Sequence, residues 1–269
     1  MELRAALQLQ QFEVYYQPLM YLQTSAVLGF EALIRWHHPE RGIVSPLEFI
    51  PLAEEIGLIV PIGDWVLRQA CSEAATWPEN VVVAVNLSPA QFANKNLVQS
   101  ILLALASARL SPHRLELEVT ESILLKESES NLRTLHQLRG LGVRIAMDDF
   151  GTGYSSLSYL RKFPFDKIKL DRSFVRDMTG DSDCAAIIRS IAGLAEGLHM
   201  TSTAEGVETQ DQLERLRAEA IPRDKDISLA ARCLWAGFEN FSNDMGILRT
   251  PRLLRDSATA TIPPHAQKM

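Results

Sequence analysis

Cysteine is scarce: Cys71, Cys184 and Cys233 stand far apart, and none belongs to a Cys-x-x-Cys spacing. That excludes a disulfide framework and a zinc knuckle and leaves buried, inert thiols as the expectation. Long apolar runs are missing too. No stretch reaches the roughly 18 residues that a membrane span requires, and Met1-Glu2-Leu3-Arg4 starts no signal peptide. A cytoplasmic chain with no membrane partner is expected. Basic clusters are absent as well: the net charge is −6, and no run of five Lys or Arg occurs. A nucleic-acid groove needs such a stripe to neutralise phosphates, so no DNA partner is expected. An acidic chain can still bind an anion where metal ions invert the local field.

What is present is ordinary globular composition, 46% hydrophobic and 22% charged over 269 residues, which excludes disorder for most of the chain. The length suits one barrel-sized domain or two smaller ones.

The informative stretch is Ile145-Ala-Met-Asp148-Asp149-Phe150-Gly151-Thr152-Gly153. An apolar run ends in two adjacent carboxylates and a glycine-punctuated turn, as when a buried strand delivers charge to a barrel rim. Two neighbouring acids repel unless cations sit between them, and a divalent metal is the simplest remedy. The bland alternative is a helix cap at Asp148 beside a solvated Asp149. Other apolar runs also end in acids or amides, at Glu31, Asn86, Glu118, Asp171 and Glu205. A barrel gathers such ends on one face.

In chain order, strands are expected at 12–18 (stopped by Pro18), 27–36, 81–88, 115–120, 143–149, 166–171 and 201–205. Helices are expected at 3–11, after Ser45-Pro46, and over 61–77, 97–110, 131–140, 155–162, 185–198 and 210–218. Strand then helix, repeated, implies parallel pairing in a layered or closed α/β architecture. Asn86 could equally cap the segment that follows it.

Taken together, Glu31-Ala32-Leu33, Glu118-Val-Thr-Glu121, Asp148-Asp149-Phe-Gly-Thr-Gly, Lys169-Leu-Asp171 and Ala204-Glu205-Gly-Val-Glu208 resemble the EAL domain family of bacterial cyclic-di-GMP phosphodiesterases over about residues 10–219. The resemblance implies a TIM-type (β/α)8 barrel whose first strand is antiparallel, hydrolysing cyclic-di-GMP to linear pGpG with two Mg2+ or Mn2+ ions. By motif position it implies metal ligation by Glu31, Asn86, Glu118, Asp148, Asp149 and Glu205. Lys169 resembles the lysine that polarises the attacking water, with Glu208 bracing it or the metal shell, and Glu205 and Glu208 counted with it as catalytic. Arg35 and Leu33 of the Glu-Ala-Leu-x-Arg motif, and Gln17, match substrate contacts. Glu121 matches the acid that holds the loop 149–156, where the family couples metal binding to dimerisation, so a homodimer is a further expectation. The family often carries regulatory domains upstream; here the expectation is that any upstream regulatory protein is either absent or a separate chain.

The pattern breaks near the end. The family's eighth strand carries Gln-Gly-Tyr-Leu/Phe-Phe, yet Lys225-Asp-Ile-Ser228 stands there. Encoded as GAC AAG GAT ATC TCT, residues 224–228 read one base earlier give Gln-Gly-Tyr-Leu, and the slip extends into a family-like ending. The expectation is therefore a barrel over 1–219 and a divergent, frameshifted tail over 220–269, with the eighth strand altered or missing unless 227–234 substitutes for it. A catalytically inactive module that binds cyclic-di-GMP or a protein is the rival function. Asp149-Phe150-Gly151 also mimics a kinase metal triplet, but no His-Arg-Asp loop accompanies it.

Overall fold

The computed structural model describes residues 2–121, 123, 129–151, 157–178, 182–219 and 227–231. Cys233, Lys225 and the loop residues 152–156 lie outside them. The chain opens with helix α1 (Glu2–Gln8), hairpin strands β1 (Phe12–Tyr21) and β2 (Val27–His38), short β3 (Gly42–Val44), and helices α2 (Pro46–Glu55) and α3 (Ile59–Ala74). Next come β4 (Val82–Leu87), α4 (Pro89–Phe92), α5 (Leu97–Ala108), β5 (Leu115–Thr120), α6 (Glu129–Gly140), β6 (Arg144–Phe150) and α7 (Leu157–Lys162). The series ends with β7 (Lys167–Leu170), α8 (Arg172–Asp177), α9 (Ser182–Gly197), β8 (Thr201–Val207), α10 (Gln210–Glu219) and β9 (Ile227–Ala231).

The sheet runs β1-β9-β8-β7-β6-β5-β4-β2, and β1 also pairs with β2, so the eight strands close into a ring, with β3 appended to the end of β2. β1 is antiparallel to both of its neighbours, and the remaining ring pairings are parallel. This is the TIM-type barrel with an inverted first strand. The eighth ring strand is altered and present: Ile227–Ala231, from the divergent tail, pairs Ser202↔Ile227 through Glu205↔Ala230 on one side and Leu19↔Ala230 through Tyr21↔Ser228 on the other.

Alternation within the strands sorts side chains between the helices and the barrel interior. On β5, Leu115, Leu117 and Val119 are fully buried in the main apolar core, while Glu116 and Glu118 alternate with them at 1% exposure. On β7, Ile168 and Leu170 play the apolar part and Lys167 and Lys169 the polar one. The two strands therefore present two stacked ion pairs to each other. Lys167 Nζ lies 2.6 Å from Glu116, and one layer higher Lys169 Nζ lies 2.6 Å from Glu118. Outside the ring, α3 buries Ile59, Ile62, Val66, Leu67, Ala70, Cys71 and Ala74, the stripe expected of a helix packed on a sheet.

Four local expectations need correction. Strand β1 continues through Pro18 to Tyr21, because the pairing to β9 begins only at Leu19 and the second edge of β1 carries no partner at Pro18. The polar turn at 37–42 is shorter than expected: β2 runs to His38, and Gly42–Val44 folds back on Trp36–His38 as β3. Helix α8 follows β7 directly, capped by Asp171, whose carboxylate accepts from the Ser173 N–H. Finally, Ser88 and not Asn86 caps α4, in a reciprocal capping box with Gln91. That leaves the Asn86 amide free for the site.

Candidate active site

The carboxyl-terminal strand ends converge at one mouth. Glu31 comes from β2, Asn86 from β4, Glu118 from β5, Asp148 and Asp149 from β6, Lys169 from β7 and Glu205 from β8. The Asn86 amide donates to Glu31 Oε1 at 2.8 Å, tying two adjacent strands. Lys169, 1% exposed, lies 2.6 Å from Glu118, 2.6 Å from Glu205, 3.1 Å from Asp148 and 3.8 Å from Glu31.

Consecutive strand residues normally point to opposite faces, yet Asp148 and Asp149 serve the same mouth. The backbone supplies the reason. Asp149 has φ +54°, and the β6–β7 register shifts between Met147 and Phe150. A second irregularity sits across the ring, where the register slips between Glu205 and Val207 at Gly206, φ +73°. Such bulges re-aim side chains. As a result one oxygen each of Asp148, Asp149 and Glu205 lies within 4.8 Å of the others.

Four carboxylates thus surround a single ammonium, with Asp149 beside two of them, and their titration reflects the mismatch. Burial works against the Lys169 charge, but Glu118, Glu31, Glu205 and Asp148 outweigh it and hold the ammonium well above its usual range. The Glu118 carboxyl is pushed well up, first by burial and then by Glu31, against the pull of Lys169. Glu205 is pushed up to about 7 by burial, with Asp148 and Glu31 adding to it and Lys169 opposing. Asp149 is raised by burial, Asp148 and Asp171. Among the described residues, the buried Glu118 Oε1 and Asp148 Oδ1 lack a hydrogen-bond partner; the 3.1 Å contact of the latter with Lys169 is an ion pair without hydrogen-bond geometry.

These features fit a hard divalent cation. The donors are oxygens only, the excess charge is negative, and two buried oxygens have unspent lone pairs. No helix among the described residues is long and apolar enough to cross a membrane.

The other residues singled out by sequence divide by position. Glu121 accepts from the Gly151 N–H at 3.3 Å, at the start of the loop it was expected to hold. Gln17 is the cross-strand partner of Glu31. Leu33 and Arg35 line a cavity of about 240 Å³ together with Pro46, Asn86 and Gln91. Burial lowers the Arg35 guanidinium below its usual range, partly offset by Tyr15 and Glu31. Glu208 is exposed just past the end of β8, where its N–H donates to Gln212. Asp171 was quoted in a motif without a role, yet its charge acts on Asp149. The signal was its place two residues after Lys169, just past the end of β7.

A family model described as EAL domain matches residues 1–222. An uncharacterized protein of Sinorhizobium fredii, y4lL, is 56% identical over 219 residues, covering 81% of this chain and 26% of that protein. The bifunctional diguanylate cyclase/cyclic di-GMP phosphodiesterase MucR of Pseudomonas aeruginosa is 45% identical, covering 80% and 32%. A solved structure of the PaMucR phosphodiesterase in complex with c-di-GMP superposes with a TM-score of 0.79 at 44% identity, covering 85% of this chain and 92% of that one. The chain spans about a quarter to a third of the length of these curated relatives. With a closed barrel, an inverted first strand and an acid-lined mouth around one lysine, the chain belongs to the EAL domain family.

Proposed function

We propose that this chain hydrolyses cyclic-di-GMP to linear pGpG with two Mg2+ or Mn2+ ions at the barrel mouth. The observation that carries the reading is the set of four carboxylates within 4 Å of the Lys169 ammonium. It is supported by the relatives named as cyclic di-GMP phosphodiesterases, MucR and NbdA of Pseudomonas aeruginosa among them.

Glu31, Asn86, Glu118, Asp148, Asp149 and Glu205 would hold the ions, which supply charge neutralisation at the phosphodiester and a more acidic water. Lys169 stays protonated at neutral pH, so its part is to donate hydrogen bonds and fix the carboxylates, not to remove a proton. Glu205, the most accessible of the carboxylates that touch Lys169, is the group placed to receive the proton of the attacking water. The water oxygen bonds to phosphorus and one ring P–O3′ bond breaks. The 3′ oxygen takes up the proton that Glu205 received and leaves as a hydroxyl, and the product keeps a 5′-phosphate. Arg35 would grip a phosphate through its fork, with Gln17 and Leu33 against a guanine. Glu208 would brace the lysine or the metal shell, and Glu121 would hold the loop that begins at Gly151.

The barrel would take residues 1–219 together with the closing strand Ile227–Ala231, drawn from a frameshifted tail over 220–269. A homodimer and an upstream regulatory protein are the partners this reading carries. Incubation with cyclic-di-GMP and Mg2+, followed by separation of the products, tests it: pGpG should accumulate, and Asp148→Asn should stop it. Undiminished turnover in that variant would end the assignment. A second reading, a module that binds without turnover, is favoured by Lys225, a charged residue where the family has its glutamine. Binding of cyclic-di-GMP without pGpG would select it.

A further inference from the structure

We propose that Tyr15 is a positioning residue that fixes the Arg35 guanidinium for a phosphate of the dinucleotide, an inference that rests on the substrate reading above. On β1, Phe12, Val14 and Tyr16 belong to the main apolar core, whereas Tyr15, although only 5% exposed, does not. It lies on the opposite face, the face of its cross-strand partner Leu33 and of Gln17, itself paired with Glu31. Two polar side chains of β2 lie against its ring. The Arg35 guanidinium carbon lies 5.6 Å from the Tyr15 ring centroid, and the His37 ring, two residues further along β2, lies 6.1 Å away with its Nε2 2.8 Å from Glu13.

Arg35 needs such a partner. Its side chain is buried and lines the cavity beside Leu33 and Asn86, and its Nη1 donates to the Ile34 carbonyl at 2.9 Å. No carboxylate among the described residues forms an ion pair with it. A long, flexible cation held by one carbonyl and one aromatic face keeps donors unspent for an anion, and the ring limits the rotamers it would otherwise sample. An acidic partner would hold it as firmly but would neutralise it. The alternation Tyr15-x-Gln17 thus extends the platform on β1 by one residue beyond the family's motifs.

The test is a cycle of Tyr15→Leu, Tyr15→Phe, Arg35→Ala and the Tyr15→Leu/Arg35→Ala double variant, assayed with cyclic-di-GMP and Mg2+. Tyr15→Leu should raise KM about tenfold with kcat changed by less than about twofold. Tyr15→Phe, which keeps the ring, should restore the parent KM, and Tyr15→Leu should add nothing once Arg35 is alanine. Additive effects in the double variant, or an unchanged KM in Tyr15→Leu, would overturn the proposal. The Arg35 Nε–H resonance, recorded without ligand, gives a second readout. It should be shifted upfield by the ring current in the parent and in Tyr15→Phe, and should move downfield in Tyr15→Leu; the same position in all three overturns the proposal. If the parent neither cleaves nor binds cyclic-di-GMP, the substrate reading fails, and that resonance still decides whether Tyr15 pins Arg35.

Discussion

Lys169 and Glu118 face each other across the barrel at 2.6 Å, with side-chain exposures of 1% and 0%. The contact is direct and shielded from bulk solvent, so the ammonium cannot be removed without leaving a buried acid beside three others. Lys169→Met should therefore cost about 3–5 kcal/mol of stability, the range for breaking one side of a buried pair. Turnover of cyclic-di-GMP should also fall by about 10²–10³-fold, as when a positioned donor is lost from a reacting centre. Urea unfolding and product separation measure the two effects, and a stable, active Lys169→Met protein would refute both.

The pair one layer below makes the opposite prediction. Lys167 and Glu116 are also 2.6 Å apart and buried, but they lie toward the amino-terminal ends of their strands, away from the mouth. Either Lys167→Met or Glu116→Leu alone should destabilise by about 3–5 kcal/mol, whereas the double replacement should recover most of the loss, since an apolar pair of similar volume avoids the desolvation of two ions. Turnover per folded molecule should stay within about twofold of the parent in the double variant, as neither residue reaches the site. A large kcat loss there would show that the two layers are coupled.

The contrast between these layers marks what the sequence could and could not convey. Acids closing apolar runs placed Glu31, Glu118, Asp148 and Glu205 at one mouth, because strand direction alone fixes that end. The Glu116–Lys167 pair drew no expectation, because alternation says which face a residue takes and not which partner it meets across the barrel. Asn86 illustrates a local ambiguity settled by competition: Ser88 takes the cap, and the amide turns to Glu31. The joint service of Asp148 and Asp149 depends on a left-handed backbone at a non-glycine residue, which no periodicity encodes. Strand β9 entered the expectations only as a substitute over 227–234, since its pairings with β1 and β8 are long-range and no local pattern specifies them.

Stability of the chelated protein should fall as pH rises from about 5 to about 8. The Glu205 carboxyl holds its proton up to about 7 in the folded chain, against an ordinary value of 4.5, and Glu118 is raised as well. Between the two values the folded state binds more protons than the unfolded one, so the slope of unfolding free energy with pH is negative. Melting in EDTA across that range checks the sign. Excess Mg2+ should flatten the dependence, because a bound cation favours the ionised carboxylates and stabilises by mass action. A melting temperature that rises with pH in EDTA would contradict the assigned cause.

Closure of the ring by Ile227–Ala231 yields the last prediction. These five residues bridge β8 and β1, and without them both strands present unpaired backbone edges at the side of the barrel that carries Glu205. Unpaired edges template association with other chains, and an open ring admits water to the interior. A chain ended after residue 226 should therefore lose its cooperative thermal transition and sediment as aggregates at micromolar concentration. Single proline replacements separate backbone pairing from side-chain identity. Leu229→Pro removes a ladder donor in mid-strand and should lower the melting temperature by several degrees, as expected for a loss of ~1–3 kcal/mol, while Leu229→Val keeps the donor and should shift it by less than about 2 °C. If the shortened chain melts as the parent does, β9 is no part of what holds the barrel shut, and Glu205 must be supported from β7 alone.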